Sequence, residues 1–478
     1  MKMRKPKQEI ILTDIEITDA GSEGNAIARV DNKVIFVPFV VPGDIVDIKI
    51  YKSKKNYAEG RAVAIKKYSP LRSEVKCPHF GTCGGCRWQN MDYAEQLKYK
   101  QKQVVDNLER LGKIDTSNMS PICGSDNIFY YRNKLEYTFS NRPWISNEDV
   151  KNPDFVPQPN ALGFHIPGLF DKILNIEHCA LQENLSNDIR LTIKEYALQH
   201  DLEFYDIRNH TGFLRNIVIR NTSIGEWMLV VIVAHDDKEK LLPMMEFLKN
   251  RFPQITSLQY IINEKLNDSY SDLDVITYSG KDYVVENMPA YKQQGQPLEF
   301  KIGPKSFYQT NSAQAYKLYS YAADFADLKG DEVVYDLYTG TGTIANFVAR
   351  QCKKVVGIEY VEDAIQDAKH NSERNNIDNT VFYAGDMAKV LTEDFIKENG
   401  TPDLVITDPP RAGMHEKVIQ QLLNAQPRKI VYISCNPATQ ARDVMMLSEK
   451  YNVGRIQPVD MFPHTHHVEN VVELILKD

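Results

Sequence analysis

The C-terminal third of this 478-residue sequence contains a series of apolar runs that each end in a residue with reactive or ligand-binding chemistry. The runs are short and rich in β-branched residues, which predicts buried parallel strands. They lead in order to Asp336, Glu359, Asp386, Asp408 and Cys435. Because parallel strands of an open α/β sheet turn their carboxyl ends towards one crevice, we expect these five side chains to line a common ligand site.

The turn after the first of these strands indicates which ligand the crevice binds. It reads Gly340-Thr-Gly342 and opens a helix, so a ligand can approach the backbone closely. Glu359 follows about 20 residues later, a spacing that suits hydrogen bonds to ribose hydroxyls. Dinucleotide sites use a third glycine for the pyrophosphate, but Ala345 occupies that place. The pattern therefore favours S-adenosylmethionine, which has a cationic centre and no phosphate.

Cysteine spacing predicts a metal centre. Seven cysteines are present, at 77, 83, 86, 123, 179, 352 and 435, and the first three form a Cys-x5-Cys-x2-Cys pattern around Gly84-Gly85. In a large intracellular protein such clustering favours a metal or cluster over disulfides. The fourth ligand is expected to be Cys123 or Cys179, or for zinc His79 or His178. Spacing alone does not distinguish an iron–sulfur cluster from zinc.

The N-terminal part predicts a small antiparallel barrel, because residues 8–67 form short alternating stretches broken by turn signals such as Pro42-Gly43-Asp44. Residues 1–70 carry 13 Lys and Arg against 9 Asp and Glu, a charge of +4, although the whole chain is at −7. Positive charge confined to one module indicates a polyanionic partner. An adaptor barrel without nucleic-acid contacts is the alternative.

Between these regions we expect an α/β domain over residues 90–298. It begins with an amphipathic helix that Asp92 caps and Gly112 ends. The stretch 129–139 mixes aromatic and cationic residues, which either clamp a single-stranded nucleotide or form ordinary strand core. Residues 141–160 are polar and proline-containing, and predict a loop.

Length and composition limit the class of protein. The chain is long enough for two or three domains, and 42% hydrophobic with 25% charged residues is typical of globular proteins. No apolar run reaches the ~18 residues of a membrane span. The segment Met1–Lys7 lacks the apolar region of a signal peptide. We therefore expect a cytoplasmic monomer without membrane association.

Three motifs carry a resemblance to a known family. They are Asp-Pro-Pro-Arg-Ala-Gly at 408–413, Ser-Cys-Asn-Pro-Ala-Thr at 434–439, and Asp-Met-Phe-Pro-His-Thr-x-His-Val-Glu at 460–469. Together they resemble the RNA uracil-5-methyltransferases. The Gly24…Ala28-Arg29 and Pro42-Gly43-Asp44 signatures look like the TRAM module. With the cysteine motif, the chain is most similar to the 23S rRNA enzymes that carry an iron–sulfur cluster.

The resemblance covers nearly the whole chain and implies a fold of three domains. These are an N-terminal OB-like TRAM β-barrel at 1–68, an α/β central domain with a four-cysteine cluster site at 69–298, and a C-terminal Rossmann-like α/β methyltransferase domain at 299–478. The implied reaction transfers a methyl group from S-adenosylmethionine to carbon 5 of a uridine in RNA, with 23S rRNA favoured.

The resemblance also implies residue roles. Cys435 is the nucleophile that adds to carbon 6 of uracil, and Glu469 is the general base that removes the carbon-5 proton. The implied methyl-donor site consists of Gln309, Tyr338, Thr343, Glu359, Asp386 and Asp408, with Thr343 where the family commonly has Asn. Cys77, Cys83, Cys86 and Cys179 match the ligands of a [4Fe–4S] cluster. Arg132 and Phe307 are expected to contact the rearranged RNA.

Three alternatives remain at this stage. The first is a uridine-5-methyltransferase that acts on tRNA. The second is an adenine amino-methyltransferase, a class that shares Asp-Pro-Pro but normally has an aromatic residue where Arg411 stands. The third is an RNA-binding factor that retains the scaffold without catalysis.

Overall fold

A computed structural model of the protein describes residues 9–478. The segment Met1–Lys7, on which the expected cytoplasmic location partly rests, lies outside the described residues. Six N-terminal strands form one sheet in the order β1-β5-β6-β4-β3-β2. They are β1 (Ile10–Glu16), β2 (Asp19–Ala20), β3 (Ala26–Val30), β4 (Lys33–Val37), β5 (Ile45–Ser53) and β6 (Tyr57–Lys67). The pairing is antiparallel except between β4 and β6, which run parallel, so the expected all-antiparallel barrel is corrected at that one pair.

Buried hydrogen bonds fix the barrel to the segment that follows it. Asp44 accepts from the Ser69 amide at 2.9 Å and from the Arg72 guanidinium at 2.7 Å. The Trp88 indole donates to the Gly24 carbonyl at 3.2 Å. Helix α1 (Tyr93–Arg110) begins after this segment, and Asp92 caps it by accepting from the Ala94 amide, as its sequence predicts.

The middle of the chain forms a seven-stranded sheet in the order β13-β12-β11-β10-β7-β8-β9. Its elements in chain order are β7 (Lys134–Ser140), α2 (Asn147–Lys151), β8 (Ala161–Ile166), β9 (Leu169–Asn175), α3 (Asn184–Gln199), β10 (Leu214–Asn221), β11 (Trp227–Val233), α4 (Lys238–Arg251), β12 (Ile255–Ile262) and β13 (Ile276–Gly280). The short helix α2 lies within 141–160, so the prediction of a continuous loop there is wrong. Ser146 caps α2 by accepting from the Asp149 amide at 2.9 Å, a local signal inside a polar stretch.

The C-terminal part follows a hairpin of β14 (Val284–Met288) and β15 (Leu298–Ile302), and its seven strands lie in the order β18-β17-β16-β19-β20-β22-β21. Its elements are α5 (Ser312–Ala326), β16 (Val333–Leu337), α6 (Thr343–Ala349), β17 (Lys354–Glu359), α7 (Glu362–Arg374), β18 (Thr380–Ala384), α8 (Met387–Val390), α9 (Glu393–Asn399), β19 (Leu404–Thr407), α10 (Glu416–Ala425), β20 (Lys429–Ser434), α11 (Pro437–Leu447), β21 (Tyr451–Val459) and β22 (Glu469–Leu476). The first five strands are parallel, and β22 and β21 add an antiparallel end.

Packing joins the middle and C-terminal sheets. One apolar cluster contains Val218 and Val230 of the middle sheet together with Leu318 of α5 and Ile406 of β19. Helix α1 packs on α11, and its Val104 belongs to a core with residues of the C-terminal sheet. The C-terminal sheet is therefore covered partly by residues far away in sequence. In the part of the chain that the structure describes, no helix combines the length and apolarity that crossing a membrane requires.

Candidate active site

The antiparallel register of β20 and β22 brings Cys435 and Glu469 together. Ser434 pairs with Asn470, so the next residues on each side, Cys435 and Glu469, emerge at the same end of the two strands. Glu469 is buried and Cys435 is partly buried. The charge of Glu469 acts directly on the Cys435 thiol. The two residues expected to carry the chemistry are therefore neighbours.

The segment after Cys435 forms hydrogen bonds with the loop that follows Asp408. Asn436 caps α11 by accepting from the Ala438 amide, and Pro437 occupies the first turn, where its missing N–H costs nothing. The Asn436 amide and the Thr439 hydroxyl both donate to the Arg411 carbonyl, each at 3.1 Å. These bonds place the loop that follows Asp408 against the thiol.

Burial and like charge determine the protonation of the two carboxyl groups at this edge. Burial raises the pKa of Asp408 and of Glu469, and repulsion from Asp408 raises that of Glu469 further. The Arg411 guanidinium partly opposes the rise at Glu469. A glutamate whose pKa is raised from its usual acidic value towards neutrality is suited to proton transfer.

Cys435 is a thiol in this resting arrangement. Burial, with repulsion from Glu469 and Asp408, raises its pKa to about 11, although Arg411 acts in the opposite direction. A nucleophilic cysteine needs either a lowered pKa or a proton acceptor when substrate docks. The pKa of Cys435 is not lowered here. The start of α11 directly after Cys435 and the Arg411 cation are the features of the site that favour thiolate.

Two of the strand-end acids lie beside the Gly-x-Gly turn, at the carboxyl ends of β16 and β17. Asp336 is fully buried at the end of β16, and burial raises its pKa to about 7, while the Thr339 hydroxyl donates to it at 2.5 Å. Glu359 at the end of β17 accepts from the Gly340 amide at 3.2 Å and from the Val361 amide at 3.0 Å. This carboxylate therefore links the Gly-x-Gly turn to the start of α7.

Gly342 must be glycine for two reasons. Its φ of +74° lies in the left-handed region, and a Cβ added there would stand 2.9 Å from the Ala368 Cβ. The turn and α7 are in close contact at this point. A side chain at this position would therefore push the turn away from α7.

The other residues expected at the methyl-donor site lie in loops and at helix starts around the same edge of the sheet. Asp386 caps α8 by accepting from the Ala388 amide at 3.1 Å. Tyr338 has a φ of +65° and lies close enough to Asp386 for that charge to act on it. The Gln309 carbonyl accepts from the Asn133 amide at 3.0 Å, which places the loop before α5. Thr343 is the first residue of α6, directly after the Gly-x-Gly turn, and is 8% exposed.

The candidate metal ligands divide between two places. Cys77, Cys83, Cys86 and Cys179 line one cavity of about 270 Å³ together with His79, whereas Cys123 lies elsewhere, beside Val459 of β21. The His79 ring accepts from the Glu177 amide at 2.9 Å. Burial raises the pKa of Cys83 to about 11 and that of Cys86 to about 12, with repulsion from other thiols of the group adding to each.

A single-ion site is not formed. Within residues 9–478, no three side chains among the His, Cys, Asp and Glu stand close enough together to hold one metal ion. The four cysteines line one cavity. The four-cysteine metal site therefore stays a prediction.

Comparison with known proteins places the chain in a family. The model of the tRNA (Uracil-5-)-methyltransferase family matches residues 274–477, and that of the TRAM domain matches residues 12–63. An uncharacterized RNA methyltransferase of Bacteroides thetaiotaomicron is 56% identical over 459 residues, 95% of this chain and 100% of the relative. One of Porphyromonas gingivalis is 54% identical over 96% of this chain and 99% of the relative. The chain belongs to the RNA uracil-5-methyltransferase family.

A solved structure supports the same assignment. The tRNA (uracil-54, C5)-methyltransferase of Pyrococcus abyssi, in complex with S-adenosyl-L-homocysteine, is similar with a TM-score of 0.73 at 27% identity, over 96% of this chain and 100% of that one. The N-terminal TRAM domain and the methyltransferase-like α/β fold are thus confirmed. As a member of this family, the protein is an S-adenosylmethionine-dependent RNA methyltransferase.

The two residues expected to contact RNA lie in different surroundings. Phe307 is 69% exposed, and its carbonyl accepts from the Thr341 hydroxyl at 3.4 Å beside the Gly-x-Gly turn. The Arg132 guanidinium lies over the Phe462 ring at 6.0 Å and lines the four-cysteine cavity. Arg132 is therefore near the connection from β21 to β22, and Phe307 is near the methyl-donor crevice.

Sequence reasoning missed Tyr319 of α5. Its side chain is 4% exposed, and it lies near enough to Asp408 and Glu469 that these charges, after burial itself, raise the pKa of its hydroxyl well above the usual value. A tyrosine on the apolar face of a helix has the pattern of ordinary core, so no local signal distinguishes it.

Proposed function

We propose that this protein transfers a methyl group from S-adenosylmethionine to carbon 5 of a uridine in RNA through a covalent adduct on Cys435. The single observation that carries the proposal is the arrangement of Cys435, Glu469 and Asp408 at the carboxyl edge where the Gly-x-Gly turn and Glu359 also lie. A thiol, a base and a methyl-donor crevice are the three parts that uracil-5 methylation requires.

The order of bond changes follows from the chemistry of uracil. Carbon 5 is too weak a nucleophile to attack a sulfonium methyl group. The Cys435 thiol first gives its proton to an acceptor as the RNA docks, and addition of the thiolate to carbon 6 then makes carbon 5 the nucleophilic carbon of an enolate. Carbon 5 then takes the methyl group, and S-adenosylhomocysteine leaves with the electron pair of the broken carbon–sulfur bond. Glu469 removes the proton from carbon 5, the carbon 5–carbon 6 double bond forms, and the Cys435 sulfur leaves as thiolate.

The remaining site residues hold the two substrates in reach of each other. We assign the methyl donor to the crevice lined by Gln309, Tyr338, Thr343, Glu359, Asp386 and Asp408, with Glu359 on the ribose. Because a helix hides carbon 5 and carbon 6 within stacked bases, the target uridine must be unpaired or flipped out. Arg132 and Phe307 are assigned to contacts with the RNA around it.

A covalent-trapping experiment tests the mechanism. RNA from 5-fluorouracil-treated cells that lack the protein is incubated with protein and S-adenosylmethionine. The fluorine cannot be removed as a cation, so the adduct should persist on a denaturing gel. Cys435→Ser should give no adduct, while Cys352→Ser, a buried thiol in the same domain, should leave it unchanged. Methyl transfer that survives Cys435→Ser would point to the adenine amino-methyltransferase alternative.

A methyl-transfer assay addresses the non-catalytic alternative. Labelled S-adenosylmethionine and total RNA from cells lacking the protein should yield labelled 5-methyluridine. RNA binding without any label transfer would show a binding factor instead.

We further propose 23S rRNA as the substrate, with tRNA as the alternative. The TRAM domain and the four-cysteine segment support rRNA by their resemblance to the 23S rRNA enzymes, whereas the similar Pyrococcus abyssi enzyme is named for a tRNA uridine. We propose that the protein acts as a monomer in the cytoplasm. Mapping 5-methyluridine in cells without the protein should show loss at one 23S rRNA position; loss in tRNA would reassign the substrate.

The cavity of Cys77, Cys83, Cys86 and Cys179 is proposed to hold a [4Fe–4S] cluster. A single ion draws its ligands onto one centre, whereas each cysteine of a cluster binds a different iron, so cluster ligands stand farther apart. The four thiols line one cavity of about 270 Å³, and the choice of a cluster over zinc rests on the resemblance to the 23S rRNA enzymes. The cluster would supply a structural link between 77–86 and Cys179, since the methyl transfer needs no electron. Iron and sulfide analysis of anaerobically purified protein tests this, and stoichiometric zinc would contradict it.

A further inference from the structure

Helix α1 contacts the connection between β21 and β22, which is the segment 460–468 that precedes Glu469. Gln96 of this helix is fully buried, and its Oε1 accepts from the His464 amide at 2.8 Å. Its Nε2 donates to the Trp88 carbonyl at 3.0 Å and to the Met91 carbonyl at 2.8 Å. One side chain therefore joins the segment after Cys86, the start of α1 and the 460–468 connection.

The His464 peptide is held from both sides. Its carbonyl accepts from the Arg87 amide at 2.8 Å and from the Trp88 amide at 3.0 Å, while Gln96 holds its N–H. Its φ of +67° is in the left-handed region, which a non-glycine residue adopts only where its surroundings impose it. One turn along α1, Lys100 donates to Asp460 at 2.6 Å and to the Phe462 carbonyl at 3.0 Å. These bonds attach α1 to the same connection at a second point.

The backbone leads from His464 to the catalytic edge, and Thr465 stabilises it on the way. The Thr465 hydroxyl donates to the Phe462 carbonyl at 2.7 Å and accepts from the His467 amide at 3.2 Å. The His467 ring then contacts the Arg411 guanidinium at 3.2 Å. Arg411 is the cation whose field reaches both Cys435 and Glu469. Glu469 itself is fixed by its pairing with Val459, independently of this path.

We propose that Gln96 is a positioning residue for the reaction: by fixing His464 it keeps His467 against Arg411, and so holds the Arg411 cation beside Cys435. This inference rests on the proposed function. It assigns to Gln96 an effect on thiolate addition to uracil, and none on methyl-donor binding, because the Gly-x-Gly crevice lies on other strands.

The test compares Gln96→Met, which keeps the size of the side chain and removes its hydrogen bonds, with a matched control. Gln101→Met is the control, because Gln101 lies on the same helix and accepts from the Ile122 amide at 3.0 Å, and among the described residues its side chain makes no hydrogen bond to the 460–468 connection. Three quantities are measured: the rate of adduct formation on 5-fluorouridine RNA, the affinity for S-adenosylhomocysteine, and the thermal midpoint.

We expect Gln96→Met to slow adduct formation by about 10- to 100-fold, the loss that small misplacements of a reacting group cause. Affinity for S-adenosylhomocysteine should stay within about twofold, since its binding does not use this path. Gln101→Met should keep the wild-type adduct rate. Gln96→Glu should recover much of that rate, because a buried neutral carboxylic acid offers one acceptor and one donor in the same place.

Two results would overturn the proposal. One is a wild-type adduct rate in Gln96→Met; the other is a loss of S-adenosylhomocysteine affinity as large as the loss of rate. If Gln96→Met does not fold, Thr465→Val serves as the test, because it breaks the Phe462–His467 link and leaves Gln96 in place. The rate of adduct formation in Thr465→Val must then fall in the same way. Absence of an adduct with wild-type protein would instead reject the proposed function itself.

Discussion

Two glutamates on strand β22 have nearly equal burial and opposite electrostatic surroundings. Glu469 is 5% exposed and Glu473 is 4% exposed. Glu473 forms ion pairs with Lys429 and Arg455, both at 2.8 Å, and although burial opposes it, these bonds lower its pKa to about 2. In the part of the chain that the structure describes, no Lys or Arg forms an ion pair with Glu469, and its pKa is raised.

The difference separates a structural carboxylate from a reactive one. A carboxylate paired with two cations is permanently ionised and holds no proton near neutral pH. An unpaired buried carboxylate beside Asp408 exchanges its proton in the range where an enzyme works. One strand therefore carries both types, and the assignment of Glu469 as the base can be tested against Glu473.

The largest effect is expected from Glu469→Gln. Turnover should fall by about 10²- to 10⁴-fold, the usual contribution of a general base. Because methyl transfer precedes proton removal, the methylated adduct on Cys435 should accumulate on unmodified RNA and appear as a denaturation-resistant complex. The thermal midpoint should not fall, since a buried carboxyl group is replaced by a neutral amide of the same shape. Normal turnover in this variant would remove Glu469 from the mechanism.

The second prediction concerns Glu473, whose replacement should change stability and leave activity almost unchanged. Glu473→Gln should keep methyl transfer within about twofold, because the side chain is remote from the crevice. The free energy of unfolding should fall by about 3 kcal/mol, since the variant leaves the nearly buried Lys429 cation without its partner. Denaturant titration measures this. A stable but inactive Glu473→Gln would show that the two glutamates are not functionally separate.

How far the sequence predicts these features depends on whether the signal is local. The strand-end acids Asp336, Glu359 and Asp408 follow from β-branched runs and a Gly-x-Gly turn, which are patterns within a few residues. The Asp92 cap of α1 is equally local. Such features could be predicted because each depends on its own neighbours in sequence.

Other features depend on contacts between distant parts of the chain. Gln96 meets His464, 368 positions away, and neither residue signals the contact in its own segment. The sequence around Tyr319 predicts ordinary helix core, and only the fold brings the carboxylates close to it. The raised pKa of Cys435 was not expected either, because it results from burial and from two acids on other strands. Motifs predict which residues form the site, but they do not give the electrostatics that these residues share.

The third prediction concerns the pH dependence of stability, to which the two glutamates should contribute with opposite signs. The lowered pKa of Glu473 contributes stability that is present above its ordinary value of 4.5 and lost as pH falls towards about 2. The gap in unfolding free energy between wild type and Glu473→Gln should therefore narrow over that interval. The raised pKa of Glu469 contributes stability that is present below 4.5 and lost as pH rises through its folded value.

Glu469→Gln should accordingly gain stability relative to wild type as pH rises above 4.5. Denaturant titrations of the three proteins at several pH values measure both slopes. Parallel curves for wild type and Glu469→Gln would mean that Glu469 has an ordinary pKa, and the contrast on β22 would then vanish.

The smallest effect is expected from the outer partner of Glu473. The Arg455 side chain is 47% exposed, whereas that of Lys429 is 10% exposed. Because solvent screens a half-exposed ion pair, Arg455→Met should cost about 1 kcal/mol or less, against about 3 kcal/mol when Glu473 is changed. The Lys429 pair alone then keeps Glu473 ionised, so methyl transfer should not change. If Arg455→Met were as destabilising as Glu473→Gln, the stabilisation would come from the network as a unit, and Lys429 alone would not account for the low pKa of Glu473.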